Sequence, residues 1–250
     1  MEQIFKNKVA LVTGAGSGIG MATAILYAQC GAKVIVSDIN ETGGAETVAM
    51  IKEAGGESTF IKADVSNAEA CKTLTEQTVQ RYGRLDIAFN NAGIAGEMNA
   101  IADMSIEGWL RVINVNLNSV FYCMKYQIPE IIKQGGGAIV NMSSILGQVA
   151  FANSAAYVAA KHGVVGLSKN AAVEYAKQNI RVNAVGPAFI NTPLLSVLDD
   201  QMKEALVKIH PLGRLGEAKE VAELVIWLSS DKASFVTGNY YAADGGYLAI

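Results

Sequence analysis

The chain has 250 residues, 51% hydrophobic and 17% charged, with a formal net charge of −3. That length suits one α/β domain over residues 1–250, and the lack of any basic run excludes a nucleic-acid partner held through phosphates. Cys30, Cys71 and Cys123 form no CxxC pair, and His162 and His210 are too few for a metal centre, so no metal and a reducing compartment are expected.

In chain order, residues 9–13 are a short apolar run ending at glycines, which reads as a buried strand. Helical spacing follows over 19–29, then a strand over 33–37 closed by Asp38, and a helix over 42–53 that stops at Gly55-Gly56. A third strand occupies 59–63. Ser66 with Glu69 has the form of a capping box for a helix running to Tyr82. A fourth strand (85–90) precedes a helix that starts after Ser105 and continues through Tyr126, with Pro129 near its end. Gly135-Gly136-Gly137 turns into a fifth strand (138–142), followed by a long helix (155–177) and a sixth strand (181–185). A less regular stretch (193–210), a helix (217–229) and a last strand (240–243) complete the pattern. Short strands alternating with longer helices predict a single-domain, doubly wound Rossmann fold of the α/β class: a parallel seven-stranded sheet flanked by helices.

Gly14-Ala15-Gly16-Ser17-Gly18-Ile19-Gly20 joins the first strand to the first helix. Residues without Cβ let the backbone approach a pyrophosphate, and free N–H groups at the helix start hold its charge. The spacing is not GxGxxG. Gly14, Gly18 and Gly20 read as the working glycines, Gly16 as an extra, and Ser17 and Ile19 complete the turn. Asp38 stands 24 residues after Gly14 at the end of the second strand. A carboxylate there accepts the adenosine ribose hydroxyls and repels a 2′-phosphate. Ile39 and its successors bring no arginine to offset it, so NAD(H) is preferred over NADP(H). A simple helix-capping role for Asp38 is the alternative.

Tyr157 and Lys161, four apart on a predicted helix, share one face, and Ser144 lies thirteen residues before the tyrosine. A phenol near its ordinary pKa of ~10 is poorly poised at neutral pH. A cation beside it is expected to lower that value and make it an acid/base for hydride transfer at a carbinol carbon. Ser143 and Ser144 are indistinguishable on local chemistry. His162 sits ~100° round the helix from Lys161, which gives it a packing or interface role. His210 lies in the less regular stretch, where it can approach a substrate.

These motifs resemble the classical short-chain dehydrogenases/reductases, in family order from Lys8 to Gly246. The resemblance implies catalytic roles for Asn116, Ser144, Tyr157 and Lys161. The serine steadies the alkoxide, the asparagine holds a water for a proton relay, and the lysine also grips the nicotinamide ribose. It places Asp64 and Val65 beside the adenine, Asn91, Ala92 and Gly93 along the ribose, and Pro187, Ile190 and Thr192 at the nicotinamide. One departure is Gly186-Pro187-Ala188, where the family usually has Pro-Gly; the extra methyl of Ala188 narrows the pocket or alters loop movement. The resemblance also implies a homotetramer, or a homodimer, through the helices at 105–126 and 155–177.

The substrate site is expected along 144–153 and a variable segment, 189–210, of which 193–210 is expected to act as a mobile lid. Ser144, Leu146, Gln148, Asn153, Tyr157, Ala188, Phe189 and Leu195 are the expected contacts. Ile145, Val149, Phe151, Leu194, Leu198 and Met202 add apolar surface. With no cation before Lys203 in the second segment, a neutral, fairly lipophilic secondary alcohol or ketone is the expected substrate. The alternatives are a 3-oxoacyl thioester reductase, a sugar or diol dehydrogenase, and a non-catalytic nucleotide-binding regulator. No apolar leader and no stretch of ~18 apolar residues is visible, so a cytoplasmic protein is expected.

Overall fold

The computed structural model describes residues 2–195 and 199–250; Leu198, expected at the pocket mouth, lies outside them. β1 (Val9–Thr13), β2 (Lys33–Asp38), β3 (Glu57–Lys62), β4 (Ile87–Asn90), β5 (Gly137–Met142) and β6 (Ile180–Pro187) follow the predicted places. β7 (Ile190–Asn191) and β8 (Gly216–Glu217) form a separate two-residue parallel pair absent from the prediction. β9 (Tyr240–Ala243) completes the main sheet, whose seven strands run in the order β3-β2-β1-β4-β5-β6-β9 with every pairing parallel.

Side-chain alternation sends successive residues of each strand into two different cores. Ala10, Val12, Val34, Val36, Phe89 and Val140 pack with α1 (Gly18–Gln29), α2 (Glu41–Glu53) and α8 (Ala218–Ser229). Leu11, Ile35, Ala88 and Ile139 face the opposite way, onto α3 (Ala68–Tyr82), α5 (Ser119–Ile132) and α6 (Ala155–Tyr175). Both faces are therefore dry, which is why these strands read as unbroken apolar runs.

Between the sheet and the second core runs a buried polar chain. Asn90 Nδ2 donates to Asn141 Oδ1 (2.9 Å) and exchanges hydrogen bonds with Gln127, while Asn141 Nδ2 donates to Ser168 Oγ (2.9 Å). It fastens β4 and β5 to α5 and α6, the four elements that lead to the expected catalytic residues.

Three local readings change. The cap of α3 is Asn67, whose Oδ1 accepts from the Glu69 and Ala70 N–H groups (2.9 and 3.0 Å); the Ser66 hydroxyl turns back to Asp64 (2.7 Å). The helix predicted through Tyr126 is split into α4 (Ile106–Ile113) and α5 by a π-helical turn, Asn114–Asn118. Within 193–210 stands a regular helix, α7 (Asp200–Lys208), capped by Asp199.

Candidate active site

The crevice opens where the strand order reverses, at the carboxyl ends of β1 and β4. Gly14 (φ 62°) and Gly18 (φ 54°) hold left-handed backbone there. A Cβ on Gly14 would lie 2.8 Å from Ala92 Cα, and one on Gly18 would lie 3.3 Å from Thr192 Cγ2. A Cβ on Gly20 would overlap the Gly14 carbonyl. The opposite wall is pinned by Thr13, whose hydroxyl accepts from the Asn91 and Ala92 N–H groups (3.0 and 3.2 Å), while Asn91 Nδ2 donates to the Thr13 carbonyl (2.9 Å). Ser17 caps α1 without spending its hydroxyl on the helix, and Ile19 follows in the first turn.

Asp38 Oδ2 accepts from the Gly16 N–H (2.8 Å), and Oδ1 from the Asn40 N–H (2.9 Å). A Cβ on Gly16 would crowd that carboxylate at 2.9 Å. Gly16, read from sequence as an extra, is thus what lets the turn hold the acid. Asp38 does not cap α2; Asn40 does, accepting from the Gly43 N–H (3.2 Å). Ile39 is exposed at the rim, Asp64 accepts from both the backbone and hydroxyl of Ser66, and Val65 is buried against Cys71 and Cys123.

The two serines after β5 diverge. Ser143 is buried and donates its hydroxyl to the Lys161 carbonyl (2.9 Å), bracing β5 against α6. Ser144 Oγ accepts from the Leu146 N–H (3.2 Å), and its hydroxyl is near enough to the Tyr157 phenol to favour the ionised form. Geometry therefore separates a pair that local chemistry left equal.

The expected lowering of the phenol pKa is not what this arrangement gives. Burial pushes Tyr157 above its ordinary value of 10.0, and the Ser144 hydrogen bond offsets part of that rise. Lys161 lies with its ammonium 5.4 Å from the Tyr157 ring centroid and donates to the Met142 carbonyl (2.8 Å). Burial pulls Lys161 itself down to about 8.

Asn116 sits fully buried in the π-helical turn, a feature that recurs at functional sites. Its amide reaches Ile94 at both ends: Oδ1 accepts from the Ile94 N–H and Nδ2 donates to the Ile94 carbonyl, both at 2.8 Å. The side chain clamps the loop after Asn91 and keeps one N–H and one lone pair of the amide for a further partner. A Cβ on Gly93 would lie 3.2 Å from Asn116 Oδ1 and 3.6 Å from Lys161 Nζ, so these three converge.

Sequence reasoning missed Tyr240. Its hydroxyl donates to the Ser144 carbonyl (2.9 Å) across 96 positions of sequence. Gly186 lies against that hydroxyl, where a Cβ would overlap it. A strand-end tyrosine carries no spacing signal that links it to a serine two strands away.

Of the expected substrate contacts, Leu146 is buried, Ala188, Phe189 and Leu195 are half-buried, and Gln148 and Asn153 are exposed. Asn153 has φ 62°, which asparagine tolerates, and turns the chain into α6. Ile145 is core rather than pocket. Val149, Phe151, Leu194 and Met202 are exposed apolar side chains. Thr192 donates to the Ile190 carbonyl (3.2 Å), and Pro187 pairs with Ala243 of β9. The larger cleft, about 510 Å³ between α2 and the edge strand β3, contains none of these groups.

A phenol beside a serine hydroxyl and an ammonium, next to a glycine-lined crevice for a dinucleotide, suits proton transfer at a carbonyl oxygen during hydride exchange, which makes this fold a nicotinamide-linked oxidoreductase. A family profile described as enoyl-(acyl carrier protein) reductase matches residues 14–248. The chain is 52% identical over 247 residues to cyclohexanol dehydrogenase of Acinetobacter sp. (strain SE19), covering 99% of this chain and 97% of that one. It is 43% identical over 251 residues to cis-4-hydroxycyclohexanecarboxylate dehydrogenase of Sinomonas cyclohexanicum, with 100% of both covered. The crystal structure of levodione reductase superposes with a TM-score of 0.95 at 37% identity, over 98% of this chain and 99% of that one. The chain belongs to the short-chain dehydrogenase/reductase family, and it interconverts secondary alcohols and ketones.

Proposed function

We propose that this chain is an NAD(H)-dependent dehydrogenase of neutral, six-membered alicyclic secondary alcohols, with Tyr157 as its acid/base. The carrying observation is the Lys161 ammonium 5.4 Å from the Tyr157 ring centroid, beside Gly93 of the crevice wall. The cradle fits a dinucleotide because a Cβ would come within 2.8 Å of Ala92 Cα at Gly14 and within 2.9 Å of the Asp38 carboxylate at Gly16, and would press Thr192 Cγ2 at 3.3 Å at Gly18. Gly14, Ser17, Gly18, Ile19 and Gly20 hold the pyrophosphate. Asp38 and Ile39 flank the adenosine ribose, Asp64 and Val65 the adenine, and Asn91, Ala92 and Gly93 the floor. Pro187, Ile190 and Thr192 orient the nicotinamide. When bound, the nicotinamide supplies the hydride acceptor or donor.

Ser144 donates to the substrate oxygen and steadies its developing charge. Tyr157, kept a phenol by burial, gives its proton to a ketone oxygen, or takes one from an alcohol once it is ionised. Lys161 brings positive charge to that ionised form, and Asn116 holds the Gly93–Ile94 loop against it. The NAD preference rests on Asp38, whose carboxylate is aimed by Gly16 and faces no arginine in the following turn. The ring class rests on the two similar dehydrogenases, both named for hydroxyl-bearing cyclohexane rings.

The same reading covers assembly and setting. Ile106, Leu110, Phe121 and Val173 leave apolar side chains exposed on α4, α5 and α6, which supports a homotetramer built on those helices. Three cysteines with no CxxC pair among them support a cytoplasmic location; no described helix is long and apolar enough to cross a membrane. Domain extent over 1–250, with a substrate-covering segment at 189–210, belongs to the proposal too.

The test is steady-state turnover of a panel of cyclic and linear secondary alcohols, acyl thioesters and sugars with both cofactors. Cyclohexanol-type substrates with NAD should lead. Preferred turnover of a 3-oxoacyl thioester with NADPH would reject the proposal.

A further inference from the structure

His210 lies beyond the cofactor cradle and takes no part in the chemistry above. It is 4% exposed, and its ring lies edge-on to Phe189 and tilted against Tyr247, with centroids 5.8 and 5.9 Å away. Nδ1 lies 2.7 Å from the Leu206 carbonyl. A carbonyl oxygen only accepts, so Nδ1 carries the hydrogen, and in the neutral ring Nε2 is a bare acceptor. Among the described residues, no group gives the buried Nε2 a hydrogen-bond partner. Leaving a buried acceptor unmatched is costly, which points to a ligand group that completes it.

His210 borders a cavity of about 180 Å³ beyond the carboxyl ends of β6 and β9. One water fills about 30 Å³, so the space accommodates a small organic group. Ala188, Phe189, Ile190, Leu212 and Val221 make its walls largely apolar. The charged groups on the wall are already matched: Arg214 is bound in a fork to Glu220 (2.6 and 2.8 Å), and Asp244 accepts from the Gly246 and Leu248 N–H groups (3.0 Å each). An apolar enclosure with one open acceptor is the recognition pattern for a hydrocarbon body bearing a hydroxyl donor. The cavity adjoins the substrate side of the sheet, because Phe189 also meets Phe151 of the segment after Ser144 (6.2 Å) and Ala243 pairs with Pro187.

We propose that this cavity is a substrate subsite in which His210 Nε2 accepts a hydrogen bond from a second hydroxyl, on the side of a ring opposite the reacting carbinol. Dioxygenated rings are then preferred over rings whose far substituent cannot donate. The subsite rests on the alcohol–ketone reading of Tyr157 and Ser144.

The experiment compares kcat/KM for trans-1,4-cyclohexanediol, trans-4-fluorocyclohexanol and cyclohexanol. Fluorine matches the hydroxyl closely in size and lacks its proton. The wild-type protein should favour the diol over the fluoro alcohol by about tenfold or more, beyond the statistical advantage of two equivalent carbinols. His210→Leu should erase that preference while cyclohexanol turnover stays within about threefold, and His210→Gln, which keeps an acceptor, should restore part of it. Equal wild-type values for the diol and the fluoro alcohol overturn the subsite alone, as does a preference that survives His210→Leu. Should His210→Leu fail to fold, the wild-type comparison decides by itself. No turnover of any of the three alcohols overturns the underlying activity and the subsite with it.

Discussion

The two sides of the crevice are built on different terms. On the β1–β4 side, recognition is a matter of backbone: Gly14, Gly16 and Gly18 make room, Thr13 and Asn91 pin the wall, and Asp38 is aimed by an N–H group. On the β6–β9 side, recognition belongs to side chains: Phe151, Phe189, His210 and Tyr247 meet ring to ring. Backbone recognition requires a fixed spacing of small residues. Side-chain recognition requires only shape, and many sequences satisfy it. On the proposed function, the first side sets which cofactor class enters, and the second is free to change what is oxidised.

The reacting groups sit between the two sides, and removing them gives the largest effect. Tyr157→Phe should lower kcat by about 10³-fold, within the usual range for a lost acid/base, while dinucleotide affinity, measured by fluorescence titration, stays near wild type. A matching loss of affinity would place Tyr157 on the cofactor side of the comparison instead.

Lys161→Met separates stability from function. The folded-state value of about 8 lies below the ordinary 10.5, so the folded protein bears a penalty of about 3 kcal/mol wherever both states are protonated. The penalty is complete below pH 8. It fades between pH 8 and 10.5, where the unfolded chain keeps its proton and the folded chain has lost it. The variant should thus be nearly inactive yet melt higher at pH 7, less whatever the unmatched Met142 carbonyl costs, with a gain that shrinks as the pH approaches 10. Calorimetric melting across that range checks it, and a gain that grows with pH would be the wrong sign.

Asp38→Ala tests the backbone side. NAD kcat/KM should fall by about ten- to a hundredfold, the worth of hydrogen bonds to a charged acceptor, while NADP kcat/KM rises. Equal losses with both cofactors would show that Asp38 supports the turn without reading the ribose. The smallest effect belongs to Tyr240→Phe. It removes one hydrogen bond to the Ser144 carbonyl, worth about 1 kcal/mol, and should cut kcat severalfold with NAD affinity unchanged.

What could be read from sequence follows the same division. The five inner strands were legible because both faces of the sheet are buried there and each is an apolar run between glycines or polar stops, whereas the edge strands β3 and β9 are only half-buried. The spacing of Tyr157 and Lys161 was legible because a helix converts four positions into one face. Asn67 was hidden by Ser66, since neighbouring polar residues compete for one cap. The π-helical turn at Asn116 was hidden because one extra residue barely disturbs helical periodicity. The direction of the Tyr157 shift was misread because spacing reports the nearby cation and says nothing about burial. Gly16 was set aside because the usual fingerprint has no role for it, and its partner Asp38 lies 22 residues away.

Gly186 and Tyr240 form a mutual lock whose meaning is evolutionary. The tyrosine hydroxyl fills the space any Cβ at 186 would need, and that same hydroxyl tethers the Ser144 carbonyl. Neither position can drift alone: a larger residue at 186 evicts the tyrosine, and loss of the tyrosine leaves a gap beside the serine. Lineages descending from such a chain should diversify freely among the aromatic and aliphatic residues between 188 and 215, while this pair is inherited or exchanged as a unit.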